Sequence, residues 1–212
     1  SEEFFQHLGF HTQCVPHGID TERFKAVDPV PIPAALEQAL KPDRKMLLHI
    51  GHLKPERGMD ILAKLARANQ KWQIVKIGSK RFPGDLQTVR MLQDAGCVIY
   101  QEFVDNLPAL YCRTDAYIFP VTNPYGAIDM PLTVLEAMAC NRPILSTPYK
   151  ALPRFIPEGN GIYYFRTVDE ACRKLDQISM GEGTGQTRSK ALEFSWDNVV
   201  GRLSKIYEES RK

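Results

Sequence analysis

The feature that most constrains this chain is a series of short runs, apolar almost end to end, each followed by a stretch with helical periodicity. Lys45–Ile50 stops at Gly51 and leads into 59–69, where Ile61, Leu62, Leu65 and Ala66 share one helical face. Trp72–Ile77 stops at Gly78 and precedes a helix over 85–94. Val98–Tyr100 leads to a helix near 106–112. Ala116–Phe119, closed by Pro120, leads to a helix over 130–140, and 143–146 is the fifth run. Strands that are apolar on both faces need cover on both faces, and helical crossovers supply it. The expectation is a three-layer α/β domain with a doubly wound, Rossmann-like parallel sheet of five β-α units. Ligands of such sheets bind beyond the carboxyl ends of the strands, so the loops after Ile50, Ile77, Tyr100, Phe119 and Ser146 should line the site. Ser195 is placed to cap a last helix, Trp196–Glu209, with Trp196, Val199, Val200, Leu203 and Tyr207 along one stripe. The Gly- and Ser/Thr-rich stretch 179–187 reads as the loop before it.

Composition narrows the class further. At 212 residues the chain suits one domain, read as residues 1–212 with a hinge region over 1–24 and a C-terminal helix over 195–212. A domain of this length buries about 70% of its unfolded surface and needs no disulfide or metal to stay folded. A net charge of +2, with no basic run, argues against nucleic acid as a partner. The cysteines Cys14, Cys97, Cys112, Cys140 and Cys172 are odd in number and scattered, as for reduced thiols in a cytoplasmic protein. His11, His17 and His49 have no metal-ligand spacing. No leader and no long apolar run is visible. The chain opens at Ser1 on what reads as the end of a helix, like a piece of a longer protein.

The most informative segment is MPLTVLEAMAC, from Met130 to Cys140. Pro131 suits a first helical turn and Asp129 is placed to cap it. Leu132, Leu135 and Ala139 fall on one face, with Glu136 among them. A carboxylate on an apolar face needs a partner, because burying it unpaired is costly. That partner is either a structural hydrogen bond or a ligand hydroxyl, and spacing alone leaves both open.

The segment resembles the corresponding helix of retaining glycosyltransferases with the GT-B fold, the group that includes glycogen-synthase-like and mannosyltransferase enzymes. Other segments match in order. VPHGIDTERF, from Val15 to Phe24, is similar to the family's interdomain hinge, and GHLKPERG, from Gly51 to Gly58, to its donor-phosphate loop. Glu136 to Ala139 with Arg142-Pro143-Ile144 follows, and Ser195-Trp196 with Ile206-Tyr207 closes the chain. The resemblance implies the C-terminal half of a GT-B enzyme, binding a nucleoside-diphosphate sugar. Glu136 would accept ribose hydroxyls, and Arg57 would grip the diphosphate as a fork of donors. Gly51 and Gly58 would let backbone approach the phosphates. Lys54 and Leu132 fall beside these positions, and Gly78, Phe103 and Val104 where the family contacts the base.

Two positions depart from the pattern. His52 stands where the family has Arg, which replaces a permanent cation by a titratable ring. Ile128 stands where the family has the first of two glutamates, the one that touches the transferred sugar. Asp129, one position on, either serves the sugar or caps the helix. The resemblance further implies retention at the anomeric carbon, no cofactor and no metal. An N-terminal domain of the same enzyme would hold an acceptor sugar or lipid-linked glycan, with room for peripheral membrane association of the whole enzyme. The competing expectation is a nucleotide-binding module without turnover. No Asp-x-Asp, GxGxxG, P-loop lysine or Tyr-x-x-x-Lys pattern occurs, which counts against metal-dependent transferases, dehydrogenases, ATPases and epimerases.

Overall fold

The computed structural model describes residues 2–9, 12–26, 31–181 and 185–211. His11, parts of the expected hinge region and residues 182–184 of the expected loop lie outside the described residues. Six strands form one parallel sheet: β1 (Lys45–Ile50), β2 (Trp72–Ile77), β3 (Val98–Tyr100), β4 (Ala116–Phe119), β5 (Ile144–Ser146) and β6 (Ile162–Tyr164). Their spatial order is β3-β2-β1-β4-β5-β6, so the chain winds outward in both directions from β1. The crossing from β3 to β4 is where that winding reverses, the place where such sheets open a crevice. Register pairs Leu47 with Ile74 and with Ala116, which stacks small and branched side chains across the middle of the sheet.

Helices α1 (Glu2–His7) and α2 (Ala34–Ala39) precede the sheet. Helices α3 (Met59–Ala68), α4 (Leu86–Asp94), α5 (Leu107–Arg113), α6 (Leu132–Ala139) and α7 (Leu152–Phe155) join successive strands. After β6 come α8 (Val168–Ser179), α9 (Thr187–Leu192) and α10 (Trp196–Glu209). Buried apolar side chains divide between the two faces. One cluster sets Met59, Leu62 and Leu65 of α3 and Leu175 of α8 against Leu47, Ile74 and Ile118. The other sets Leu135 and Met138 of α6 against Leu48, Val75, Tyr117 and Phe119. Alternate residues of each strand feed alternate layers, so both layers are covered. Local capping agrees with the pattern: Asp85 accepts from the Thr88 amide at 2.8 Å, Asn106 from Ala109 at 3.0 Å and Ser195 from Asn198 at 3.3 Å.

Four expectations need correction. The sheet has a sixth strand, β6, not anticipated because the helix before it, α7, is only four residues long and shows no helical period. Asp129 does not cap α6; Pro131 takes that position, and the Asp129 carboxylate pairs with Lys150 at 2.8 Å. Leu132 does not share the buried face of Leu135 and Ala139, being 40% exposed on the first turn. The α10 stripe buries only Val199, while Trp196, Val200, Leu203 and Tyr207 stay about half exposed. Its cover is not among the described residues.

The segment 15–24 and the start of α10 are neighbours. Ile19 bridges Ser195 in parallel, and its amide donates to Phe194 O at 2.8 Å. Any Cβ at Gly18 would lie 2.5 Å from the Trp196 ring, so the indole lies directly on glycine backbone. Arg188 ties the same segment to α6, donating to Thr21 O, Phe24 O and Ala139 O at 3.1, 2.9 and 2.6 Å.

Candidate functional site

Beyond the carboxyl end of β1, the chain turns at Gly51 and runs through His52, Leu53 and Lys54 into a short 3-10 turn, Pro55–Arg57. Leu53 is the anchor, 1% exposed. Gly78, at the end of β2, leaves room for it: a Cβ there would lie 3.1 Å from Leu53 Cδ1. Gly58 closes the turn at φ +74°, and a Cβ there would stand 2.2 Å from Pro120 O. Both backbone conformation and space require glycine at this position. The loop is thereby pressed onto the end of β4.

Arg57 is half buried within this loop, and among the described residues no carboxylate pairs with it. A Cβ at Gly51 would lie 3.6 Å from Arg57 Nη1 and 3.7 Å from His49 Nε2. Lys54 is exposed, and the half-buried His52 ring meets Phe82 edge-on, centroids 5.1 Å apart. Burial, then the nearby Arg57, Lys54 and Lys76, hold the His52 pKa below its usual value, so the free ring favours its neutral form. Cationic groups gathered without carboxylates suit an anionic ligand.

Glu136 lies on α6 at the same end of the sheet. Its Oε2 accepts from the Tyr111 hydroxyl at 2.8 Å, and among the described residues Oε1 has no protein donor. Burial raises the Glu136 pKa, while the Tyr111 hydrogen bond and the Arg23 charge pull it back. The neighbouring Tyr117 donates to Thr133 Oγ1 at 2.7 Å and reaches Ile50 O at 3.4 Å, the two phenol rings being 5.8 Å apart. Burial, with Glu136 close by, raises the Tyr111 pKa, so the phenol stays a donor. Tyr111 thus ties α5 to α6, and Tyr117 ties α6 to the end of β1. One carboxylate oxygen is therefore held, and the other has no partner among the described residues.

Gly51, His52, Lys54, Arg57 and Gly58 share one loop, which Gly78 supports from below. Phe103 and Val104 separate from each other on the loop after β3: Phe103 is 83% exposed, whereas Val104 packs into the core. Asp129 and Leu132 stand at the exposed start of α6. A pocket of about 370 Å³ lies beyond β4, β5 and β6, lined by Val121, Thr147, Tyr149, Lys150, Phe165 and Arg166. Neither Arg57 nor Glu136 lines it. Sequence reasoning missed Tyr111 and Tyr117, which act by tertiary contact, and Arg23. It also missed His49 and Lys76, although a histidine and a lysine inside otherwise apolar strands were a visible signal. Among the described residues no three His, Cys, Asp or Glu side chains cluster as metal ligands. No described helix is long and apolar enough to cross a membrane.

Residues 44–179 match the family described as Glycosyl transferases group 1. An uncharacterized glycosyltransferase of Methanocaldococcus jannaschii is 28% identical over 183 residues, 78% of this chain and 45% of that protein. A D-inositol 3-phosphate glycosyltransferase of Actinosynnema mirum is 26% identical over 223 residues, 93% of this chain and 51% of that protein. The chain spans about half the length of the curated relatives it matches. Among solved structures, sucrose-phosphate synthase of Thermosynechococcus elongatus aligns with TM-score 0.75 at 17% identity, covering 98% of this chain and 55% of that one. HepE of Anabaena in complex with UDP-glucose aligns with TM-score 0.73 at 17% identity, covering 98% and 61%.

Proposed function

The chain belongs to the glycosyl transferases group 1 family, and from that premise we propose that it is the donor-binding domain of a retaining GT-B glycosyltransferase. The observation that carries the reading is the unpaired Arg57 beside Gly51, at the same sheet end as Glu136 with its available oxygen. Arg57 and the backbone of the Gly51 loop take the diphosphate, and Glu136 Oε1 accepts from the ribose. Phe103 and the backbone near Gly78 and Val104 flank the base. Positive groups facing the departing diphosphate stabilise its charge without a metal. A second domain supplies the acceptor and completes the cleft, in keeping with coverage of about half of each relative and with the uncovered α10 stripe. UDP is the first nucleotide to test, since HepE was solved in complex with UDP-glucose.

The test is thermal stabilisation by UDP, GDP and ADP, with their sugars in parallel. A nucleotide at 100 times its dissociation constant adds about 2.7 kcal/mol to stability. Stabilisation by one nucleotide, without multiple-turnover transfer by residues 1–212 alone, is the expected result. No binding by any of them at millimolar concentration overturns the reading.

Ile128 and His52, standing where the resembled family has Glu and Arg, favour a second reading: a nucleotide-binding module without turnover. Donor hydrolysis by the full-length protein separates the two.

A further inference from the structure

Two buried titratable residues lie behind the phosphate loop and have no part in the reading above. His49 and Lys76 are register partners on β1 and β2, both 0% exposed. Lys76 Nζ donates to Gly51 O at 2.5 Å and to Ile77 O at 2.9 Å, so one nitrogen holds the ends of both strands. His49 Nδ1 lies 3.0 Å from Ile118 O. A carbonyl only accepts, so Nδ1 carries the proton and Nε2 keeps a bare lone pair. That nitrogen is buried without a partner among the described residues, and a Cβ at Gly51 would lie 3.7 Å from it and 3.6 Å from Arg57 Nη1.

The groups around Lys76 are cationic or neutral. His49 comes from β1, His52 and Lys54 from the loop and Arg57 from the 3-10 turn. Ile99 is the register partner on β3, and the buried residues of α3 are Met59, Leu62, Ala63, Leu65 and Ala66. No carboxylate among the described residues pairs with Lys76. Burial, then Arg57, lowers the Lys76 pKa to about 7. Burial, then the Lys76 charge and more weakly Arg57, hold the His49 pKa well below its usual value, with the Ile118 hydrogen bond opposing.

We propose that Lys76 is a positioning residue that takes up a proton when a diphosphate occupies the loop in front of it, fixing the Gly51 carbonyl beneath the bound anion. This inference rests on the donor-binding reading. An anion against Arg57 offsets the repulsion that disfavours the ammonium, and a charged Nζ holds Gly51 O more firmly than a neutral amine. Binding that takes up a proton weakens as pH rises from the free pKa towards the bound one. Donor affinity in the wild type therefore falls about tenfold more between pH 7 and pH 9 than in Lys76→Met.

Calorimetric titration with UDP and with inorganic pyrophosphate, at pH 8 in two buffers of different ionisation heat, counts the protons taken up. The wild type and His52→Gln should take up a substantial fraction of a proton that Lys76→Met does not. Equal uptake in the wild type and Lys76→Met overturns the inference, as does uptake that disappears in His52→Gln instead. If the wild type binds neither anion, the donor-binding reading falls and this inference with it. Binding without Lys76-dependent uptake overturns the inference alone. Should Lys76→Met fail to fold, lysine 13Cε shifts followed against pH in the wild type replace it. A Lys76 midpoint near 7 that moves upward with pyrophosphate supports the proposal, and one that stays put overturns it.

Discussion

The Tyr111 hydroxyl donates to Glu136 Oε2 at 2.8 Å, and this single bond divides the carboxylate into an anchored oxygen and an open one. The division separates folding from binding. Tyr111→Phe leaves a half-buried carboxylate without its donor and should lower apo stability by about 1.5–3 kcal/mol, the range for hydrogen bonds to charged groups. Glu136→Gln keeps an amide oxygen for Tyr111, so urea unfolding of the free protein should change by less than about 1 kcal/mol. Nucleotide binding by that variant should weaken by roughly 1.5–3 kcal/mol, read by calorimetric titration.

The loop from Gly51 to Gly58 depends on Gly58 both sterically and conformationally. Gly58→Ala places a Cβ against Pro120 O at a residue with φ +74°. Because the obstacle is backbone, no side chain can swing aside. A loss on the order of 3 kcal/mol is expected in chemical unfolding. A change within experimental error would mean that the loop moves off the end of β4 without cost.

Arg57 and His52 should respond differently to substitution and pH. Arg57→Ala removes a permanent cation and should weaken diphosphate binding at pH 6 and pH 8 alike. His52 has its pKa lowered by burial and by Arg57, Lys54 and Lys76, so in the free protein it is neutral at pH 8. His52→Arg restores charge and should tighten binding at pH 8 by roughly tenfold. Unchanged affinity would make His52 a packing partner of Phe82 and no more.

Lys76 also makes the stability of the free domain pH-dependent. Its pKa is about 7 in the fold, against about 10.4 in an unfolded chain. Between those values the unfolded state binds the extra proton, so stability rises with pH by up to about 1.4 kcal/mol per pH unit. Below pH 7 the burial penalty is fully present. Urea unfolding at pH 7, 8 and 9 should show the rise in the wild type and lose it in Lys76→Met.

Much of the sheet was legible because a doubly covered strand is buried throughout and largely apolar, as Trp72–Ile77 and Ala116–Phe119 are. β6, Ile162–Tyr164, was not, since the four-residue α7 before it is too short to mark a crossover by its period. The phosphate loop and Glu136 were placed by resemblance. What they lean on came only from packing: Tyr111 reaches Glu136 across 25 positions, and Lys150 draws Asp129 away from the cap that local order suggested. The stripe on α10 shows the reverse error, a helical pattern that is real but not buried against this sheet. His49 and Lys76 were visible and passed over, because two polar residues do not stop a run from reading as a strand.

The contact between Gly18 and Trp196 has a mechanical consequence. With Ile19 bridged to Ser195, the segment that enters the sheet domain and the helix that leaves it meet that domain at one place. A body held at one place can turn about it as a door does on its post. Such turning would carry Arg57, Glu136 and any nucleotide between them as a rigid cargo, and the geometry that changes would be between that cargo and whatever faces it.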